Sequence, residues 1–108
     1  MVFKKKSMEE IIVNALEDVK GQNIVVFDTK KKSSFFDCVI IASGMSNRQN
    51  KALAKSVVER VKKYSNSAVG VEGLESAEWV LIDCGDIVCH VMHPATREYY
   101  ALEELWGS

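Results

Sequence analysis

Two cysteines and two histidines, Cys84, Cys89, His90 and His93, bring metal-binding side chains into one short stretch. Their C-x4-C-H-x2-H spacing is not one that structural zinc sites use. Cys89 and His90 are also neighbours in a predicted strand, where adjacent side chains point to opposite faces. The sequence therefore predicts no metal and no cofactor at this position.

Nucleophilic and phosphate-binding chemistry have equally weak signals. A reactive thiol needs a nearby base and electropositive surroundings, but Cys38 and Cys89 fall within predicted strands and Cys84 lies in a turn between acids. The turn 43–46 precedes a predicted helix, whose N-terminal amides could bind phosphate. It lacks the lysine that a Walker-type loop carries after its last glycine. Since no carboxylate pair with an acid–base partition is present either, the residues alone predict no active site.

The elements that position these side chains alternate between helix and strand. Ser7 with Glu10, and Ser46 with Gln49, have the spacing of helix capping boxes. Gly21 stands where a left-handed helix end is expected, and residues 65–67 are expected to end the second helix. Pro94 suits the first turn of a C-terminal helix, or of two short helical turns, reaching residue 106. The predicted strands are 24–27, 35–43, 68–71, 79–83 and 86–92, with a hairpin between the first two and burial on both faces of the second.

The last two strands form a predicted hairpin with Cys84-Gly85 as a two-residue loop. That loop places Asp83 opposite Asp86 and Trp79 opposite His90. Two acids directly opposite each other destabilise a hairpin, so either a basic partner offsets them or both extend into solvent. One face is wholly apolar and is predicted to pack under the helices: Val80, Ile82, Ile87, Cys89 and Val91. The other face is mixed: Trp79, Leu81, Asp83, Asp86, Val88, His90 and Met92. It forms either a second small core under the C-terminal segment or an exposed protein interface.

Composition sets the class of protein. The 108 residues are 47% hydrophobic and 27% charged, which predicts one folded domain over 1–108. No apolar run approaches the roughly 20 residues of a membrane helix. The three cysteines, with no apolar signal segment after the basic start, predict a reduced, cytoplasmic setting.

Charge is distributed unevenly along the chain. The net charge is −1, so the overall basic balance of many nucleic-acid binders is absent. Residues 1–67 carry 13 Lys and Arg against 7 Asp and Glu, whereas residues 68–108 carry only Arg97 against 8 acids. This asymmetry is consistent with an acidic face that attracts a basic partner, or with an ordinary solvated surface.

Several motifs, in order, resemble the ribosomal silencing factor family (RsfS, also called Iojap). The resemblance covers roughly residues 7–106 and rests on segments 36–40, 43–49, 72–73, 79–88, 90–94, 97–100 and 102–106. It implies an α/β fold (α+β, with a mixed sheet of about five strands and helices on one main face), similar in outline to nucleotidyltransferases. It also implies binding to the large ribosomal subunit through large-subunit ribosomal protein number fourteen. The bound factor would block joining of the small subunit and repress translation during starvation or stationary phase, with no chemical step, no membrane and no sequence-specific nucleic acid.

The family resemblance also implies candidate contact residues. Trp79, Leu81, Val88 and Met92 are expected to give apolar contact, and Asp83 and Asp86 to face basic groups. The whole expected partner-binding set is Glu72, Trp79, Leu81, Asp83, Asp86, Val88, His90, Met92, Arg97 and Tyr100. Arg97 and Tyr100 either touch the partner or brace the C-terminal segment. Family members also form homodimers, which would compete for the same face.

A nucleotidyltransferase-like enzyme, or a nucleotide-binding module, is the alternative. Such enzymes place a D-x-D carboxylate pair about ten residues after a glycine–serine turn to hold magnesium. After Ser46 the next acid is Glu59, inside a predicted helix and without an acid two residues away. The sequence therefore predicts that this metal site is missing and that the protein is not an enzyme.

Overall fold

The computed structural model describes residues 7–65 and 68–107. In this part of the chain no helix is long and apolar enough to cross a membrane. The elements are α1 (Met8–Asp18), β1 (Gln22–Asp28), β2 (Cys38–Ser43), α2 (Asn47–Tyr64), β3 (Gly70–Glu72), β4 (Trp79–Asp83), β5 (Ile87–Met92), α3 (Pro94–Tyr100) and α4 (Leu102–Gly107).

Both predicted helix starts are confirmed. The Glu10 amide donates to Ser7 Oγ at 3.2 Å, and the Gln49 amide donates to Ser46 Oγ at 3.0 Å. These bonds satisfy amides that a helix start otherwise leaves unpaired. The predicted end of α1 is corrected, and the predicted end of α2 lies partly outside the described residues. Lys20, with φ 61°, and not Gly21, takes the left-handed conformation after α1, while α2 ends at Tyr64 and residues 66–67 lie outside the described part.

Five strands form one mixed sheet in the order β1-β2-β5-β4-β3. The β2–β5 pair is parallel, and the other three pairs are antiparallel. The parallel pair lies at the centre of the sheet, and all six residues of β2 are buried. The mixed sheet, the β1–β2 pairing and the burial of β2 on both faces are therefore confirmed.

Helices cover the two faces of the sheet unequally. Helices α1 and α2 pack on one face over the main core, to which Leu16, Leu53, Ile40 and Val80 belong. A smaller core on the other face contains Val39, Ile41 and Met92, with Phe27, Phe36, Trp79, Leu102 and Trp106 packed against it. Helix α4 thus covers the β1–β2 side of the second face.

Two predicted strands are shorter or shifted in the structure. β2 begins at Cys38 and not at residue 35, and Phe35 is 86% exposed. Residues before Cys38 instead bond to a loop, because Thr29 Oγ1 donates to the Phe36 carbonyl at 3.0 Å. β3 comprises Gly70–Glu72 and not 68–71, since Glu72 pairs with Leu81 of β4.

The β4–β5 hairpin forms, but its predicted register is wrong by two residues. Asp83 pairs with Val88, and Trp79 pairs with Met92. The Cys84 amide donates to the Ile87 carbonyl at 2.9 Å, so Gly85 and Asp86 are the turn residues. Gly85 has φ 89°, and glycine at the first turn position is typical of type II′ hairpins. No pair of opposed acids therefore exists in this hairpin. A two-residue shift leaves every strand side chain on its predicted face and moves Asp86 from the predicted strand into the turn.

Candidate functional site

Strands β3, β4 and β5 expose a surface on the side of the sheet opposite α1 and α2. We call this surface the mixed face; it comprises Glu72, Trp79, Leu81, Asp83, Val88 and His90. The set arises because alternate strand residues share a face, and the neighbouring positions, such as Val80 and Cys89, are fully buried under the helices. The structure therefore brings together six of the ten expected contact residues.

Trp79 contacts two neighbours, His90 on the mixed face and Tyr100 at the end of α3. Its indole Nε1 donates to His90 Nδ1 at 2.9 Å. Its ring centroid lies 4.8 Å from that of Tyr100, which is 54% exposed on α3. Tyr100 therefore extends the aromatic surface, and the two contacts orient the Trp79 ring.

His90 lies behind Trp79 as a neutral hydrogen-bond acceptor. Burial lowers the pKa of His90 from 6.5 to about 4, because a charged imidazolium is poorly solvated there. Acceptance of the indole proton at Nδ1 places the ring proton on Nε2. His90 is thus suited to orienting Trp79 at neutral pH.

Two acidic side chains, Glu72 and Asp83, lie beside the apolar part of the mixed face, and both are exposed. The turn residue Asp86 is exposed as well, but it lines a cavity with Met8 and Cys38 on the α1 side of the sheet. Asp83 Oδ1 accepts the Gly85 amide at 2.9 Å, which fixes that carboxylate beside the turn. A shallow groove of about 200 Å³ runs between Glu72 and Trp79. The arrangement is an aromatic and aliphatic centre with an acidic rim.

Two expected contact residues are placed elsewhere. Met92 is fully buried in the smaller core, so its side chain cannot give apolar contact to a partner in this conformation. Arg97 is only 8% exposed. It donates to Ser43 Oγ at 3.0 Å and to Glu103 Oε1 at 2.5 Å. Arg97 therefore braces α3 between β2 and α4.

The turn before α2 is closed by the chain's own side chains. The Met45 amide donates to Gln49 Oε1 at 2.7 Å, and Ser46 caps the helix as described above. A Cβ on Gly44 would lie 2.0 Å from Asn50 Oδ1, so glycine is required by close packing. The Met45 and Gln49 amides at this turn are therefore already bonded within the chain.

The cysteines are buried thiols. Burial raises the pKa of Cys38 and of Cys84 to about 11, and burial also raises the pKa of Cys89. Such thiols are protonated at neutral pH and are poor nucleophiles. Cys89 lies in the main core, on the face opposite His90, and the described residues contain no group of three or more His, Cys, Asp or Glu side chains arranged to hold a metal.

The family model described as "Ribosomal silencing factor during starvation" (RsfS) matches residues 3–108. The chain belongs to the ribosomal silencing factor family. The resemblance that the motifs indicated is therefore confirmed.

Individual relatives agree with this assignment. The chain is 51% identical over 102 residues to the ribosomal silencing factor RsfS of Chromobacterium violaceum, covering 94% of this chain and 84% of the relative. A crystal structure of a C. violaceum protein superposes with a TM-score of 0.91 at 48% identity, covering 98% of this chain and 88% of that one. A mouse relative, "Mitochondrial assembly of ribosomal large subunit protein 1", is 32% identical over 90% of this chain and 44% of its own length.

Sequence reasoning missed two features of this RsfS-family site. Tyr99 is 82% exposed and stacks edge-on against Tyr100 at 5.0 Å, which widens the aromatic surface beyond the sheet. His93 Nε2 lies 2.6 Å from Asn47 Oδ1 and ties the start of α3 to the start of α2. The adjacent tyrosines in the predicted C-terminal helix are a sequence signal for the wider aromatic surface. No local sequence pattern predicts the contact between His93 and Asn47.

Proposed function

We propose that this RsfS-family protein binds the large ribosomal subunit through large-subunit ribosomal protein number fourteen. The mixed face makes the contact, and the bound protein blocks joining of the small subunit by occupying space. Translation then falls under nutrient limitation or in stationary phase. The action is steric, without a catalysed reaction or a cofactor, and takes place in the cytoplasm.

The observation that carries this proposal is the half-covered sheet face. Helix α4 covers the part of this face formed by β1 and β2, and the part formed by β3, β4 and β5 retains an aromatic and aliphatic centre with the exposed acids Glu72 and Asp83. A centre of this kind with a charged rim is typical of protein interfaces. Residues 68–108 carry eight acids against one arginine, which fits a basic ribosomal protein. The mouse relative's name refers to assembly of the large subunit, and we extend that association to this chain.

Each side chain on or behind the mixed face has a proposed role. Trp79, Leu81, Val88 and Tyr100 give the apolar contact. The exposed acids, Glu72, Asp83 and Asp86, face basic groups of the partner. His90 orients Trp79, Arg97 positions α3, and Met92 supports the surface from beneath.

Co-sedimentation with separated ribosomal subunits tests the proposal. The wild-type protein is expected to pellet with large subunits and to inhibit their joining to small subunits. Trp79→Ala should weaken pelleting while a folded circular dichroism spectrum is retained. Tyr64→Ala is the matched control, because Tyr64 is a 52% exposed aromatic at the end of α2. Wild-type pelleting by folded Trp79→Ala would refute the assigned face, and wild-type protein left in the supernatant at low salt would refute the function.

A homodimer through the mixed face is a related proposal. The same exposed aromatic surface can pair with its copy in a second chain, which would make dimer formation and ribosome binding exclusive. Analytical ultracentrifugation of wild-type protein and Trp79→Ala tests this directly. A dimer that Trp79→Ala leaves intact would place any self-association on another surface.

A nucleotide-binding role finds no supporting geometry at the turn before α2. The Met45 and Gln49 amides there are bonded to side chains of the chain itself. A thermal-shift titration with magnesium and nucleoside triphosphates is expected to leave the melting temperature unchanged. A saturable, magnesium-dependent increase would favour the nucleotidyltransferase-like alternative.

A further inference from the structure

A second surface lies on the opposite side of the sheet from the mixed face. Between α2 and β3 runs a groove with a volume of about 450 Å³. Its floor is apolar: Ala54 is buried, and Val58, Val71 and Leu74 are partly or largely open to solvent. Leu74 is 44% exposed, so the groove presents an apolar surface to solvent, as binding sites do. We call this surface the α2–β3 groove.

One wall of the groove is the edge of the sheet. Among the described residues β3 pairs only with β4, so its outer edge is open to another strand. Val71 opposes Ile82 of the main core and therefore points to the α2 side. A strand added along β3 would place alternate side chains on that same side, over the groove floor. A helix beside an open strand edge is a geometry that binds extended peptides.

The rim of the groove carries two lysines, Lys51 and Lys55, and one acid, Glu59. Lys51 and Lys55 are one helical turn apart and exposed. Lys55 lies 4.0 Å from Glu59, with both side chains largely in solvent, so this pair is weak and leaves the lysine available to a ligand. Acidic residues on an incoming strand would meet these two ammonium groups. An RNA backbone would use the lysines but leave the apolar floor uncovered, so the combination favours a peptide.

We propose that the α2–β3 groove binds an extended acidic segment of a partner protein. The segment pairs along the outer edge of β3 as a sixth strand, places alternate apolar side chains on the groove floor, and directs carboxylates to Lys51 and Lys55. The inference goes beyond the proposed ribosome contact. The apolar floor of the groove and the mixed face lie on opposite faces of the sheet.

Selection from a random peptide display library on the purified full chain identifies the ligand class. Enriched peptides are expected to alternate apolar residues with other residues and to contain Asp or Glu. The double variant Lys51→Glu with Lys55→Glu should weaken binding of a selected peptide about tenfold or more, since two attractions become repulsions. Lys62→Glu with Lys63→Glu makes the same charge change on exposed positions of α2 outside the groove, and should leave binding near wild type.

Titration of the selected peptide into ¹⁵N-labelled protein locates the site. Amide shifts are expected at residues 70–72 and along 51–58, and not at the Trp79 indole. Failure to enrich any acidic alternating peptide would overturn the proposal, as would shifts confined to the mixed face. Binding of an oligouridine probe that the Lys51→Glu, Lys55→Glu variant abolishes, without any peptide binding, would assign the rim to RNA instead.

The two proposals fail independently of each other. The Lys51→Glu, Lys55→Glu variant is expected to pellet with large ribosomal subunits as wild type does. Trp79→Ala is expected to bind the selected peptide normally. Loss of both activities in either variant would contradict the separation of the two surfaces.

Discussion

Arg97 offers a way to separate a bracing residue from a contact residue. Its guanidinium joins three elements, because it lies on α3 and bonds to Ser43 at the end of β2 and to Glu103 in α4. Replacement by methionine keeps much of the length of the side chain but removes every donor. We predict that Arg97→Met lowers the free energy of unfolding and weakens large-subunit binding only through that loss.

The expected size of the loss follows from the two bonds. Ser43 is 2% exposed, so an unpaired hydroxyl there costs about 1–2 kcal/mol. The Glu103 side chain is 42% exposed, so solvent screening limits that ion pair to about 1 kcal/mol. The sum is about 2–3 kcal/mol, which corresponds to a fall of roughly 10 °C in Tm for a domain of this size.

Urea unfolding followed by co-sedimentation measures both consequences. Arg60→Met is the matched control, because Arg60 pairs with Asp18 at the surface and its loss should cost less than about 1 kcal/mol. At a temperature where both variants are folded, Arg97→Met should bind large subunits nearly as wild type does. An unchanged unfolding midpoint would refute the bracing role, and lost binding at full stability would make Arg97 a contact residue after all.

Three further outcomes follow from the same structure. Burial holds the pKa of His90 near 4, whereas the unfolded imidazole titrates near 6.5, so the unfolded state binds more protons between these pH values. The free energy of unfolding should therefore fall by about 2 kcal/mol from pH 7.5 to pH 5. Urea unfolding at both pH values checks this, and His90→Gln should remove this pH-dependent part. Asp83→Asn with Asp86→Asn should weaken large-subunit binding and flatten its dependence on salt, since screening acts on charged contacts; an unchanged salt slope would exclude these acids from the contact. Gly44→Ala should destabilise the fold by about 1–3 kcal/mol, because the new Cβ would lie 2.0 Å from Asn50 Oδ1; a wild-type Tm would show that the turn relaxes.

Local sequence signals predicted most of the elements of this fold. The helix caps at Ser7 and Ser46 were predictable because each depends only on residues within one helical turn, and both are confirmed. The apolar run of β2 likewise reflects burial of a central strand. The strand ends were less predictable, because Thr29 bonds the segment before β2 into a loop from seven residues away. Contacts of this kind depend on tertiary structure and leave no periodic signal.

In the candidate site, too, the sequence pattern predicts the face of the sheet on which a residue lies, whereas packing decides whether that residue is exposed. The mixed face survives a wrong hairpin register because a shift of two residues preserves the alternation of faces. Alternation says which side of the sheet a residue occupies, but not whether another element covers that side. Met92 and Val88 lie on the same face of β5, yet Met92 is fully buried in the smaller core while Val88 stays half-buried on the open side. The C-terminal helices make that difference, and the Arg97 bonds hold them in place. The positions at which α3 and α4 stop covering the sheet therefore decide which side chains of this face remain exposed to solvent.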